Sequence, residues 1–414
     1  MYGSREDIQH NLKMFFIDGV SFMPSMALIS VTAVIPFFLD QLGATTFQIG
    51  LAPSIAFVCG LLTQPIFGVV ASKSTVMHKT FGKILLLQRV IFLTFVLLIP
   101  VLSRSNSLLI LCFLVFWGVF NLFVGSYSVF HTPLLIKLLP PEKRGTRRGI
   151  GFAIGSLLGV GMSALIPLIV NRIAFPYGYM VIFLLGLFFL FINVFVFLNM
   201  RQSNDVEPNE PMGLVEYLKQ MPISLKESPK LRAMILTFMF LAMAHSLLAY
   251  YTLYAIRELS ATEMHIATFT SLAIFSSAVA VIKTGFLADR YGPRITTTVA
   301  ACLIIAAGTL ALLTNSLNFL FVAWVLANIS NSSFHMSAAL MMGEVSPSGK
   351  LPLYVGVFTT ISMAVSSIIV LVLAPILENL GFTPLFATVL MSGLLSLTIN
   401  LFVLKKSLAK SDYV

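Results

Sequence analysis

Charge is scarce in this chain. Asp, Glu, Lys and Arg together make up 10% of its 414 residues, where a soluble domain carries about 25%. So few charges cannot coat a water-facing surface of this size, which excludes an ordinary soluble globule. Cysteine is nearly absent too. Cys59, Cys112 and Cys302 each sit in an apolar run with no paired spacing. Neither a disulfide framework nor a metal site is indicated; small buried side chains are expected instead. The sequence also lacks a phosphate-binding glycine loop, zinc-spaced histidines and any nucleophile motif. That argues against ATP-driven pumping and against an enzyme, and no cofactor is expected. No cleavable leader is read at the start. The first apolar run, 12–39, is too long for a signal-peptide core and reads as a retained helix.

What the chain has instead is apolar length. Hydrophobic residues make up 58% of it. In lipid each backbone amide needs an internal partner, so only helices and closed barrels cross. The apolar runs are mostly about twenty residues or longer, which suits helices crossing ~30 Å. Barrel strands would be half as long and would alternate. Twelve spans are predicted. Six lie at 12–39, 47–71, 81–102, 107–136, 149–170 and 177–200, and six at 231–254, 264–288, 295–314, 317–341, 352–377 and 383–404. The polar stretch 201–230 separates them. It holds Asn204, Asp205, Glu207, Pro208, Asn209, Glu210 and Pro211, which is linker composition. Within it Leu214, Val215, Leu218 and Met221 recur at helical spacing and predict a short amphipathic helix on the membrane surface.

Lysine and arginine set the orientation. With the N-terminus inside, only Arg104, Arg172 and Arg257 of the 26 basic residues fall on outer loops. Arg89 and Lys283 fall within spans, and all the others lie on inner segments. This is a positive-inside pattern. It accounts for the formal charge of +10 without nucleic acid, since the positive charge faces a cytoplasmic leaflet. An odd number of spans would scramble it, so both termini are predicted cytoplasmic in a multi-pass inner (cytoplasmic) membrane protein.

The two sets of spans carry traces of a repeat. The only tryptophans, Trp117 and Trp324, are each followed four residues later by asparagine, Asn121 and Asn328. Phe130-His131 and Phe334-His335 follow in the same order. A parallel repeat of six-helix halves puts these on equivalent spans, 4 and 10. A second trace lies after spans 2 and 8. The segment from Gly285 to Arg294, with Asp289, Arg290, Gly292 and Pro293, resembles the signature loop of the major facilitator superfamily (MFS). Gly285 is read as allowing close helix approach, Asp289 as engaging a helix N-terminus or a facing arginine, and Gly292-Pro293 as the cytoplasmic turn. The first-half equivalent keeps Gly68 and Lys73 but has Ser72 in place of the family's aspartate, so its charged lock is expected to be weaker. The resemblance implies an all-α integral membrane fold of 12 transmembrane helices. These form two pseudo-symmetric six-helix bundles, at 1–200 and 231–414, joined by the 201–230 linker.

A charge inside a span costs at least ~2.5 kcal/mol, so it is a functional candidate by default. Asp18 is the one acid well inside an apolar run. Arg89 lies at a similar depth on span 3, and the two could pair as a proton-coupling element. A fixed ion pair, or two groups snorkelling to the surface, is the structural alternative. The resemblance places spans 1, 4, 7 and 10 around a central cavity. That makes Trp117, Asn121, His245, Trp324, Asn328 and Asn331 candidates for it. His245 with Tyr250, Tyr251 and Tyr254 reads as part of the outer cavity, or as an interhelical bond and an aromatic belt. His131 and His335 read as packing or interface residues, Lys283 as a snorkelling side chain and Glu344 as wet. The run Gly151, Gly155 and Gly159 permits close helix packing. It partly resembles a glycine-proline pattern of antiporter branches, with Ser156 in place of the proline and Val160 in place of the last glycine.

The resemblance implies a monomeric secondary transporter for a small-molecule substrate, working by alternating access. Abundant phenylalanine and methionine, 36 and 19 residues, favour proton-coupled export of an amphiphilic solute. Import of a sugar, peptide or nucleoside by symport stays open, as does a non-transporting receptor or scaffold on the same fold.

Overall fold

The computed structural model describes residues 4–202, 214–313, 315–347 and 351–404. The linker residues 203–213, Lys350 and the terminal lysines Lys405, Lys406 and Lys410 lie outside them. The described chain is helical throughout. In the first half run α1 (Arg5–Leu28), α2 (Val34–Gln41), α3 (Thr46–Ser72), α4 (Met77–Leu102), α5 (Asn106–Asn121), α6 (Gly125–Leu138), α7 (Pro141–Val170) and α8 (Tyr177–Leu198). Then come α9 (Leu214–Glu227), α10 (Pro229–Ser246), α11 (Leu248–Leu259), α12 (Glu263–Tyr291), α13 (Pro293–Leu313), α14 (Leu317–Val345), α15 (Leu351–Leu380) and α16 (Thr383–Ile399), with a π-helical turn from Asn400 to Leu404. The helix predicted at Leu214 to Met221 is present as α9.

Among the described residues, eleven helical stretches are long and apolar enough to cross a membrane. The predicted first span is not among them: it is broken between Leu28 and Val34, and α1, although 24 residues long, is not apolar enough by itself. Spans 4 and 7 are broken too, between α5 and α6 and between α10 and α11. The causes are local. Ser25 Oγ donates to the Phe22 carbonyl at 2.6 Å, and Pro36 in the first turn of α2 has no N–H to give backward. At the second break the amides of Phe123 and Val124 bond three residues back, to Phe120 and Asn121, at 3.3 and 3.0 Å. At the third, Leu247 N–H reaches no further back than Ala244 O, at 3.4 Å, while Ser246 Oγ donates to Met243 O at 2.8 Å. Hydroxyls that bond back to their own helix compete with its backbone ladder and bend it.

The helices group into two compact units. The first comprises Met1–Thr45, Val58–Leu214 and Thr262–Ile274; the second comprises Thr46–Phe57, Val215–Ala261 and Phe275–Val414. Two segments therefore sit with the unit other than the one their place in the sequence assigns. Thr46–Phe57 is held in the second unit by Arg257, which donates to Thr46 Oγ1 at 2.9 Å, and by Ser367, which donates to Ser54 O at 2.9 Å. In the first unit Ser163 and Ser271 share a hydrogen bond.

Between membrane helices, packing replaces the hydrophobic effect as the source of cohesion, and small residues let backbones approach. The seam of α1 and α7 is made this way. A Cβ at Gly151 would lie 2.7 Å from Phe16 O, one at Gly155 2.9 Å from Val20 O, and one at Gly159 3.2 Å from Met23 O. The glycine run thus does what its spacing predicts. In the second unit α13 and α16 meet in the same manner: a Cβ at Gly308 would lie 3.0 Å from Leu390 N. The stretch Pro229–Leu259 is the innermost, with 78% of its most apolar window buried against 50% or less in the others. Leu62, Leu157, Phe188 and Phe286 are exposed, as apolar side chains facing acyl chains would be.

At its start α1 is fixed by a capping box between Ser4 and Asp7. The Ser4 hydroxyl donates to Asp7 at 2.7 Å and holds that exposed carboxyl below its ordinary range. Asn11 then bonds the backbone of Arg201, at 2.7 and 2.9 Å.

Candidate functional site

The first unit contains a buried polar cluster built from α1, α4, α6 and α8. Asp18 is buried on α1. Its Oδ2 lies 3.1 Å from His131 Nε2 on α6. Its Oδ1 accepts from Asn193 Nδ2 on α8 at 2.9 Å. The same amide nitrogen donates to Ser21 Oγ at 2.9 Å, and Ser21 donates to Ile17 O at 2.9 Å. Asn193 Oδ1 is buried without a partner. A membrane-buried carboxylate is tolerated where partners replace its hydration, and both of its oxygens have one.

Arg89 on α4 is 1% exposed. It donates to Gln88 Oε1 and to the Tyr127 hydroxyl at 3.3 Å, while its Nε is buried without a partner. Its guanidinium carbon stands 6.0 Å from the Tyr127 ring centre. Gln88 is anchored in turn by donating to Phe120 O at 2.9 Å. The pairing of Asp18 with Arg89 expected from their depth is therefore not made: the ion pairs drawn among the described residues give Asp18 to His131. The reason lies on α6. Tyr127 and His131 are one turn apart, with stacked rings 6.3 Å between centres. Tyr127 takes Arg89 and His131 takes Asp18. His131, read from sequence as a packing residue, is thus a member of the cluster. Tyr127 and Asn193 were not singled out at all, although an Asn well inside the apolar run 177–200 was a usable signal.

The predicted cavity residues are placed differently. Trp117 is stacked between Phe113 and Phe120 at 5.8 and 5.4 Å, and Trp324 is fully buried near Tyr251. Both are buried in the aromatic core of their own units. Asn121 donates to Trp117 O at 2.7 Å, and Asn328 to Trp324 O at 2.9 Å. The two tryptophan-asparagine pairs thus share one local geometry, each in its own unit. Asn331 is half-buried.

His245 forms a smaller cluster in the second unit. Its Nε2 lies 2.9 Å from Ser330 Oγ, and Ser330 donates to Ala300 O at 2.6 Å. The serine proton is spent, so Nε2 is the donor and Nδ1 is left buried and unpartnered. Tyr250 is buried rather than belted at a surface, and donates to Val370 O at 2.9 Å. A cavity of about 410 Å³ opens in the same unit beside Tyr254, Glu258, Asn315, Phe382 and Phe386; of the residues read as an outer cavity, Tyr254 lines it. His335, Lys283 and Glu344 are exposed.

Of the signature-loop residues, Gly292 has φ +81°. It ends α12 by donating to Ala288 O at 2.8 Å, and α13 starts at Pro293, as a turn requires. Gly285 and Gly68 are different. A Cβ at either would meet nothing within 4 Å, so neither is a point of close helix approach in this structure. Arg290 lies over the Tyr291 ring at 5.2 Å, Arg294 Nε donates to Asn400 O at 3.4 Å, and Lys73 is exposed. The side chains of Asp289 and Ser72 lie outside the described residues.

Residues 233–412 match the Major Facilitator Superfamily. Solved structures of transporters align along nearly the whole chain. A bacterial homologue of the human lysosomal transporter Spinster, inward-facing and unoccupied, has a TM-score of 0.64 at 15% identity, covering 98% of this chain and 96% of that one. A bacterial homologue of the iron transporter ferroportin, outward-facing, has 0.65 at 16%, covering 95% and 98%. A mutant of the nucleoside transporter NupG has 0.72 at 12%, covering 96% and 99%. The fold is that of the major facilitator superfamily. At these identities the solved structures speak for the fold alone, and the sequence match to the superfamily lies in the second half. No curated protein matches the chain. The buried Asp18 cluster lies in the first half of this major facilitator fold, outside the matched residues.

Proposed function

We propose that this major facilitator chain is a secondary transporter working by alternating access, coupled to protons through Asp18, and that it exports a small amphiphilic solute. One observation carries the coupling: a carboxylate buried in the first apolar segment, with His131 and Asn193 on its two oxygens and a buried arginine nearby. Such a group is costly in a bilayer and is retained where it does work. The apolar, aromatic interior supports an amphiphilic rather than a polyanionic cargo. Asn331 and His245 remain the proposed substrate contacts, and the Trp117–Asn121 and Trp324–Asn328 pairs support the helices that carry them.

The test is Asp18→Asn in proteoliposomes, with a solute first selected by thermal stabilisation of the purified protein. A pH gradient drives accumulation by the parent. In the variant, gradient-driven accumulation should fall to the level of empty liposomes, while exchange of solute at equal pH persists. Unchanged accumulation would remove Asp18 from the coupling role.

The charge distribution supports a place in the cytoplasmic membrane with both termini inside. Reporter domains fused to either end should both be active on the cytoplasmic side; activity at opposite sides would defeat the proposed topology.

A further inference from the structure

We propose that His131 and Asp18 form one proton-binding pair in which the imidazole relays the proton to the carboxylate, with Arg89 as the fixed charge that balances it. This deepens the transport reading and rests on it for a place in a cycle. The proton binding itself is testable without transport.

The argument is an account of hydrogens. Asn193 has two amide hydrogens, whose shorter contacts are Asp18 Oδ1 at 2.9 Å and Ser21 Oγ at 2.9 Å, with the Asp18 carbonyl farther off at 3.4 Å. Ser21 directs its own to Ile17 O at 2.9 Å, with the Asp18 carbonyl at 3.3 Å. An amide N–H only donates, so Oδ1 must accept and cannot carry a proton toward Asn193. That leaves Oδ2, which faces His131 Nε2 at 3.1 Å. In the chain from Ile17 to His131 every hydrogen is assigned but this one. It sits on nitrogen or on oxygen, and the heavy-atom geometry suits both.

The relay follows. With Asp18 ionised, a neutral His131 carries its hydrogen on Nε2 and donates to Oδ2. A proton from water, taken at Nδ1, forms the imidazolium. Transfer of the Nε2 hydrogen to Oδ2 breaks the N–H bond, returns its electron pair to the ring and forms the O–H bond. The products are a neutral ring protonated on Nδ1 and a neutral carboxylic acid. Of the two oxygens, Oδ2 is the one that faces a titratable partner among the described residues, which makes the imidazole the proposed route.

The groups facing the pair are few. Among the described residues, α4 presents Arg89 and Gln88, α6 presents Tyr127 beside His131, α8 presents Asn193, and α7 presents Gly151 and Phe152 against Gly19. Arg89 keeps its charge throughout. Tyr127 bonds Arg89 and stacks on His131, which keeps the guanidinium off the carboxylate. The set is electrically neutral with Asp18 ionised and carries one positive charge after the proton arrives.

The experiment uses the full chain in lipid nanodiscs, with proton as the ligand. Histidine carrying nitrogen-15 reports ring tautomer and charge by NMR. Difference infrared spectroscopy reports protonated carboxyl. The chain has six histidines, and His131→Gln assigns the signal of His131; Asp18→Asn assigns the carboxyl. In the parent, the His131 ring should change tautomer over the same pH range in which the Asp18 carboxyl appears, a coupled titration. Asp18→Asn should change the proton affinity of His131 at least tenfold, about one pH unit, and His131→Gln should change that of Asp18 as much. The parent titration needs no substitution, so it stands even if a variant folds poorly. Separate midpoints in the parent, or an Asp18 midpoint unmoved by His131→Gln, overturn the pair and leave Asp18 as a lone coupling site. If Asp18→Asn removes no pH-dependent carboxyl band from the parent spectrum, Asp18 does not titrate, and both the pair and the coupling role fall.

Discussion

Gly155→Leu should be the most damaging single change in the first unit. A leucine there must place its Cβ within 2.9 Å of the Val20 carbonyl oxygen and 3.1 Å of its Cα. Both are backbone atoms of α1, so no side chain can turn aside to make room. Overpacking against movable side chains costs ~1–3 kcal/mol. Against a fixed backbone the cost should exceed ~3 kcal/mol, enough to empty the folded fraction of a marginally stable protein. Gly161, also on α7, is the control, since a Cβ there meets nothing within 4 Å. Size-exclusion yield and melting temperature in detergent would show Gly161→Leu near the parent and Gly155→Leu mostly aggregated. Equal behaviour of the two would mean that α1 and α7 are not seamed by these glycines.

Arg89→Met should come next. Methionine fills much of the volume without the charge, so Asp18 is left ionised with no buried cation beside it. Removing one partner of a buried charge set costs ~3–5 kcal/mol. Here the partners do not touch, so the lower end, ~3 kcal/mol, is expected. The informative variant is the double one. Arg89→Met with Asp18→Asn removes both charges and should regain at least half of the lost stability. Independent sites add to within ~0.3–0.5 kcal/mol. If the two substitutions simply add, Arg89 does not balance Asp18, and its role is confined to Tyr127 and Gln88.

The architecture was largely legible in the sequence because lipid makes strict demands. Long apolar runs could only be crossing helices. The glycine spacing 151, 155, 159 was legible for the same kind of reason: one residue per turn on one helix face has a single packing meaning. Gly292-Pro293 was legible because few residues adopt a positive φ. The cluster was only half legible. Sequence gives the depth of Asp18 and Arg89, since depth grows with residue count. It does not give the direction in which each side chain leaves its helix. Direction decides the pairing, and it turned Asp18 to His131 and Arg89 to Tyr127. The same limit hid the setting of Gly285, where the loop resemblance suggested close approach and the structure has open space. The helix breaks were hidden differently. Ser25, Ser246 and Leu247 look ordinary in a hydrophobic run, and only the backbone bonds they displace reveal the interruption.

Those interruptions bear on stiffness. An unbroken span behaves as a rod: tilting one end swings the other. The crossings at 28–34, 121–125 and 246–248 are jointed instead. The hydrogen bonds that resist bending there are already shortened in register or handed to serine hydroxyls. Re-aiming one half of such a crossing costs little of the ladder in the other half. Asn121 and His245 stand at two of these joints, so a polar side chain can be turned without dislodging the helix that carries it.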